Sequence, residues 1–173
     1  MYYGLTYLGV FHTIVSFIAL GVGAVTLIRD GKIDWGNMTG KIYVITTIIV
    51  CLTGFGIFRH GGFGKPHALG VVTLIVLVVA FAAGAGKFGR FSPYVKTVSF
   101  SMTFFFHIIP TLAEGATRLP YGAPLVSSPE DPRIQMATGV CFVLFLIGAT
   151  IQVRKLRAKL QAGSDQFNPM NAE

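Results

Sequence analysis

The sequence predicts an all-α fold, a polytopic membrane bundle of five transmembrane helices, and three observations lead to this prediction. The 173 residues are 53% hydrophobic and only 12% charged, whereas soluble domains carry about 25% charged residues. The mean hydropathy is correspondingly high, at +0.66. Five windows contain no Asp, Glu, Lys or Arg, namely residues 1–28, 42–58, 66–86, 97–113 and 134–153. Since about 20 helical residues cross a hydrocarbon core of about 30 Å, each window is close to the length of one span.

The spans follow from these windows and their flanking residues. No linker is long enough for a second folded unit, so we predict a single transmembrane domain over residues 1–160 and a short cytoplasmic tail over 161–173. A short Gly-rich turn separates the second span from the third, which predicts an antiparallel hairpin. The spans are expected at about 4–28, 41–58, 66–86, 96–114 and 134–153.

The basic residues predict the orientation. Four lie on one side of the predicted spans: Arg59, Lys65, Arg118 and Arg133. Ten lie on the other: Arg29, Lys32, Lys41, Lys87, Arg90, Lys96, Arg154, Lys155, Arg157 and Lys159. The positive-inside rule makes the second side cytoplasmic, which puts the N-terminus outside and the C-terminus inside an inner (cytoplasmic) membrane. Topology therefore accounts for the net charge of +7, and we expect a lipid bilayer rather than nucleic acid as the partner.

The fourth span carries most of the polar residues found at membrane depth. At 100° per residue, one face of this helix contains six of them: Lys96, Thr103, His107, Thr111, Glu114 and Arg118. Pro110 lies within the span and predicts a kink. Tyr43, Thr46 and Thr47 of the second span could face this polar face.

The four histidines, His12, His60, His67 and His107, all fall toward the predicted extracytoplasmic side. His12 and His107 lie at compatible depths, and two imidazoles from facing helices can hold haem b as axial ligands, with His60 or His67 nearby. A copper or zinc ion is the variant, because imidazole serves both metals. The alternative is structural: His60 and His67 would be interfacial residues of a loop, and His12 and His107 buried side chains without a ligand.

Glu114 and Arg118 are four residues apart on one helix face, which predicts an ion pair that fixes the end of the fourth helix. In a second interpretation, His107, Thr111, Glu114 and Arg118 form a polar path toward the outside, for protons or for a quinone headgroup.

Two segments resemble a bacterial family of predicted multi-pass membrane proteins that is catalogued as a domain of unknown function. The second and third spans resemble its helical hairpin through residues 40–44, 57–69 and 73–74, and the end of the fourth span resembles it through residues 113–120. The resemblance supports the architecture and carries over His67, Glu114 and Arg118 as positions of interest. Two histidines that the family often has on the cytoplasmic side are replaced here by the segments 37–39 and 94–96.

Two functions are compatible with these patterns, and neither settles whether the protein is an enzyme. The first is a redox, haem-binding or metal-binding module with a histidine site near the extracytoplasmic face. The second is a non-catalytic accessory or assembly subunit of a larger membrane complex, which the apolar fifth helix would contact. No P-loop, HExxH or GxSxG motif is present, so the sequence gives no sign of nucleotide or hydrolase chemistry.

Overall fold

The computed structural model describes residues 6–58, 62–120 and 122–166, the last three by their backbone alone. This part of the chain contains five α-helices and no strand. The helices are α1 (Tyr7–Asp30), α2 (Met38–Gly54), α3 (Lys65–Gly84), α4 (Ser92–Arg118) and α5 (Pro132–Gln166), with a short 3-10 turn at Gly89–Phe91 before α4. The predicted all-α membrane bundle is confirmed.

Four of these helices, α1, α3, α4 and α5, are long and apolar enough to cross a membrane. The remaining helix, α2, has 17 residues, which correspond to about 26 Å at 1.5 Å per residue and fall slightly short of a hydrocarbon core of about 30 Å. It begins and ends earlier than the predicted span 41–58. Asn37 caps its start by accepting a hydrogen bond from the Gly40 N–H at 2.7 Å.

α5 differs most from its predicted span. It has 35 residues and continues beyond position 153 to Gln166, so part of the predicted tail is helical. The basic residues after Val153 prolong the helix because Arg and Lys are good helix formers and their charged ends reach solvent easily.

Consecutive helices pack side by side as antiparallel pairs: α1 with α2, α3 with α4, and α4 with α5. Two names for the ends of the bundle follow. The proline-loop end contains the loop of residues 119–131, the starts of α1, α3 and α5, and the ends of α2 and α4. The basic end is the opposite one.

The apolar core lies in the half of the bundle nearer the basic end. Its buried residues are Ile33, Tyr43, Val44, Leu77, Ala80 and Phe100. Close packing here depends on Gly23 of α1, because a Cβ at that position would lie 2.7 Å from the Phe104 ring and 2.9 Å from the Tyr43 ring. These apolar contacts hold together the helices that carry the polar residues, on the side of those residues nearer the basic end.

Pro110 does not end α4, which runs as one helix from Ser92 to Arg118. The helix also carries polar residues to both ends of the bundle. Lys96 reaches the loop between α1 and α2 near the basic end, where its Nζ donates to Asp34 Oδ1 at 2.9 Å.

Candidate functional site

His12 is held by a threonine of the neighbouring helix. Its Nδ1 lies 2.9 Å from Thr53 Oγ1 of α2, and that hydroxyl donates its only hydrogen to the Ile49 carbonyl at 2.7 Å. With that hydroxyl donating to Ile49, the tautomer that completes the contact has its hydrogen on His12 Nδ1 and a lone pair on Nε2. Gly54 lies beside the ring, and a Cβ there would make an ordinary van der Waals contact with the imidazole Cε1, at 3.4 Å.

His107 is held by the same kind of contact in the middle of α4. Its Nε2 lies 3.1 Å from Thr47 Oγ1, and this hydroxyl donates to the Tyr43 carbonyl at 2.8 Å. By the same argument Nε2 carries the hydrogen and Nδ1 keeps the lone pair. The residue is 6% exposed.

Both histidines are thus hydrogen-bonded to threonines of the same helix, His12 through Nδ1 and His107 through Nε2. Thr47 and Thr53 are six residues apart on α2. Each hydroxyl is hydrogen-bonded to an imidazole and donates to a backbone carbonyl of its own helix. His12 and His107 are also close enough for a charge on one to influence the other. That His12 and His107 share one ligand stays a prediction.

A second buried pair lies one turn closer to the basic end. The Tyr43 hydroxyl donates to Thr103 Oγ1 at 2.8 Å, because the Thr103 hydrogen goes to the Phe100 carbonyl at 2.7 Å. Tyr43 and Thr103 are both fully buried. The Tyr43 ring also meets the His107 ring edge to face, with centroids 6.0 Å apart. The hydrogen bond between Tyr43 and Thr103 therefore fixes the position of the Tyr43 ring, which packs against His107.

The hydroxyls of Thr46 and Thr111 bond to backbone carbonyls rather than to side chains of the predicted polar path. The Thr46 hydroxyl donates only to carbonyls of its own helix, those of Ile42 and Tyr43. The exposed Thr111 donates to the His107 carbonyl at 2.7 Å and so bonds to the backbone rather than to the imidazole.

Glu114 and Arg118 lie at the proline-loop end of α4, where Arg118 Nε donates to Glu114 Oε2. Glu114 is also near enough to His12 to interact with it electrostatically. The Glu114 carboxylate therefore interacts with both Arg118 and His12.

His67 is separate from the other two histidines. It is 7% exposed at the start of α3, and its ring packs against those of Phe58 and Phe63, at centroid distances of 5.0 and 5.3 Å. Its Nδ1 accepts a hydrogen bond from the Gly64 N–H at 3.1 Å. The fourth histidine of the predicted set, His60, lies outside the described residues.

The described residues contain no group of three or more His, Cys, Asp or Glu side chains placed to hold a metal ion. What the structure does contain is a pair of imidazoles, each with one nitrogen hydrogen-bonded and one carrying a lone pair. The pairing of His12 with Thr53 was not predicted. The sequence contained a signal for this pairing, because His12 and Thr53 lie within about one turn of the same end of the antiparallel pair α1 and α2.

No protein-family model matches the chain, and no curated protein or solved structure resembles it significantly. The resemblance to a bacterial family of unknown function therefore stays a prediction. The class is defined by the fold: a multi-pass helical bundle whose apolar helices suit a lipid bilayer.

Proposed function

We propose that this protein is an integral inner-membrane protein that binds a transition-metal ion, copper or zinc, between His12 and His107. The predicted orientation, with the N-terminus outside, puts this site near the extracytoplasmic face. In this proposal Glu114 supplies the nearby negative charge that favours a cation.

The observation that carries the proposal is that each imidazole has one nitrogen hydrogen-bonded to a threonine of α2. Histidines that bind metals usually donate their other N–H to a neighbouring acceptor, which fixes the tautomer and aims the lone pair. Both histidines have this arrangement, through Thr53 for His12 and Thr47 for His107. Ionisable residues at membrane depth are also costly to keep and are functional by default.

A metal ion suits the pair better than haem b does. Haem iron is usually bound through the imidazole Nε2, whereas His107 Nε2 is already bonded to Thr47. The ring of His107 is also packed against Tyr43 in a 94% buried position, which leaves little space for a porphyrin beside it. A single ion requires only the two lone pairs and small additional ligands such as water.

The test is metal analysis and competition titration of protein purified from membranes in mild detergent. We expect about one copper or zinc ion per chain, and at least a tenfold loss of affinity in His12→Phe and in His107→Phe. His67→Phe is the matched control and should keep the metal. A metal-free preparation from metal-supplemented cells would contradict the proposal, and a Soret band would replace it with haem.

A second candidate function is that of an accessory subunit, and the length of α5 favours it. Its 35 residues correspond to about 52 Å, so about 20 Å of basic helix would extend past the hydrocarbon core. Such an extension suits a partner subunit with an acidic surface. Native gels in mild detergent test it: migration with additional subunits supports this function, and migration as a monomer or homodimer alone argues against it.

A further inference from the structure

The basic segment of α5 begins at the depth where α1 ends. Gln152 donates to the Gly31 carbonyl, just after α1, at 2.8 Å and accepts from Ser101 of α4 at 2.9 Å. From this contact α4 and α5 run in opposite directions, so residues 154–159 lie beside the first two turns of α4. They extend about 3–10 Å past Gln152 along the helix axis. That distance is close to the depth of a lipid headgroup layer, about 5–8 Å on each side of the hydrocarbon core.

The loop between α3 and α4 lies at the same depth. Lys96 of α4 pairs with Asp34 of the α1–α2 loop at 2.9 Å, and its Cδ lies 3.9 Å from where a Cβ of Gly84, the last residue of α3, would be. The Phe88 N–H donates to Ser92 Oγ at 3.0 Å and so holds the loop against the start of α4. Both loops of the basic end and the basic segment of α5 are therefore found together.

Most cations at this depth have no carboxylate partner. Asp30 pairs with Arg29, and Asp34 pairs with both Lys32 and Lys96. Among the residues whose side chains are described, no other carboxylate lies at the basic end. The exposed cations that remain there, which we call the cationic band, are Lys41, Lys87, Arg90, Arg154, Lys155, Arg157 and Lys159.

The cations of α5 lie close to one another. Arg154 and Arg157 are three residues apart, and Lys155 and Lys159 are four apart, so each pair shares one side of the helix. Like charges at these spacings repel each other. An external anion beside each pair would remove this repulsion.

Exposed phenyl rings alternate with cations in the α3–α4 loop. Phe88 and Phe91 are 42% and 56% exposed, and they follow Lys87 and Arg90 respectively. The Arg90 guanidinium carbon lies 4.9 Å from the centroid of the Phe91 ring. A surface of phenyl rings and cations suits the boundary between headgroups and acyl chains. The cations also come from three segments of the chain, so a bilayer, which surrounds the bundle, can reach all of them at once.

We propose that the cationic band binds anionic phospholipids in preference to zwitterionic ones. The lipid phosphates pair with the cations, and Phe88 and Phe91 enter the edge of the hydrocarbon. This role shares no residue with the pair of His12 and His107, so it does not depend on the metal proposal. It also gives the basic segment of α5 a lipid partner in place of an acidic subunit.

Trp35 provides the measurement, because it is the only tryptophan of the chain and lies in the α1–α2 loop at this depth. Its ring packs against Phe81 at a centroid distance of 5.1 Å. The probes are phosphatidylglycerol and phosphatidylcholine with a nitroxide on the upper acyl chain, each added to phosphatidylcholine nanodiscs that hold the protein. We expect phosphatidylglycerol to quench Trp35 by half at about a tenfold lower mole fraction. In about 1 M salt, where the screening length is about 3 Å, the difference should disappear. Equal quenching by the two lipids at low salt would overturn the proposal.

Two double variants test the band itself. Lys87→Gln with Arg90→Gln, and Arg157→Gln with Lys159→Gln, should each lower the preference at least about threefold. The matched control is Lys65→Gln with Arg133→Gln, which removes the same charge from the proline-loop end, where both cations already have carboxylate partners. It should keep the preference of the parent. An equal loss in the control would show that net charge alone attracts the lipid, and the proposal would fail.

Other occupants give different results. If soluble phosphate is the ligand, inorganic phosphate will remove the preference at an ionic strength at which chloride does not. If an acidic subunit is the partner, the variant of Arg157 and Lys159 will lose a co-purifying chain in native gels and keep the lipid preference. Either outcome overturns the proposal.

Discussion

Lys96 Nζ donates a hydrogen bond to Asp34 Oδ1 at 2.9 Å, joining the start of α4 to the loop between α1 and α2 across 62 positions of the sequence. The other oxygen of Asp34 accepts from Lys32 at 2.8 Å. One carboxylate therefore ties the first helical pair to the second at the basic end of the bundle.

This contact predicts a stability that depends on pH. Burial alone raises the pKa of Asp34, but hydrogen bonds from Lys32, Lys96 and the Gly36 N–H outweigh it and hold the pKa well below its ordinary value. The stabilisation is therefore complete above the unfolded pKa of about 4 and is lost as the pH falls below it. Asp34→Asn should cost about 1 kcal/mol at pH 7. Thermal unfolding in detergent should show the gap to the parent narrowing between pH 5 and pH 3, and a constant gap would contradict the assignment.

Gly40 should not tolerate a side chain. A Cβ at this position would lie 1.9 Å from the Asp34 carbonyl oxygen, a backbone atom that cannot move aside without disturbing the loop. Gly40→Ala should therefore lower the unfolding free energy by about 1–3 kcal/mol. Gly21→Ala is the control, since nothing lies within 4 Å of its Cβ, and the higher helix propensity of Ala should leave stability unchanged or improved. Equal stability of the two variants in a detergent melt would refute this close contact.

Tyr43→Phe removes the hydroxyl that donates to the buried Thr103. Because Thr103 still donates to the Phe100 carbonyl, the expected loss is modest, about 1 kcal/mol. The exposed Tyr7 provides the control, and Tyr7→Phe should leave the unfolding midpoint unchanged. A larger effect of the control than of Tyr43→Phe would count against the buried hydrogen bond.

The threonines of α2 should affect metal binding without touching the metal. Thr47→Val and Thr53→Val keep the side-chain shape but remove the acceptor of the His107 and His12 hydrogen bonds. Loss of such supporting contacts typically costs about 10–100-fold in metal affinity. Thr46→Val is the matched control, because Thr46 bonds only to its own helix. Competition titration should rank the control with the parent, and identical affinities for all three variants would exclude the supporting role.

A single substitution at Gln152 should weaken the attachment of α5 to α4 and to the end of α1. Its Nε2 donates to the Gly31 carbonyl at 2.8 Å and its Oε1 accepts from Ser101 at 2.9 Å, so it joins α5 to α4 and to the end of α1. Gln152→Leu should raise amide hydrogen exchange near Gly31 and along α5. Thr150→Val, which removes a bond within α5 alone, should not. Unchanged exchange in Gln152→Leu would show that apolar packing alone holds the helix.

The helices could be predicted from the sequence because apolar length alone identifies a span. The ends of the helices could not, since they depend on local contacts. α2 begins earlier than predicted because Asn37 caps it. α5 continues past 153 because the segment that follows is rich in Arg, Lys and Leu and contains no Gly or Pro before Gly163.

The histidine site was only partly predictable. The depth of His12 and His107 follows from counting residues, but their hydrogen-bond partners depend on the rotation of α2. That rotation brings Thr47 and Thr53 to the imidazoles and turns Thr46 away. The buried state of His67 also depends on a tertiary contact, the stacking of Phe58 and Phe63 from the preceding segment.

The polar pairs between α2 and α4 have a consequence for membrane insertion. Tyr43 pairs with Thr103 and Thr47 with His107, so these two partners emerge from the ribosome 60 residues later, whereas His12, the partner of Thr53, is made before α2. Until then the shortest helix of the bundle exposes a phenol and a threonine hydroxyl that have no partner on another helix. The lasting insertion of α2 is therefore expected to wait for α4, and a chain truncated before residue 92 should leave it at the membrane surface.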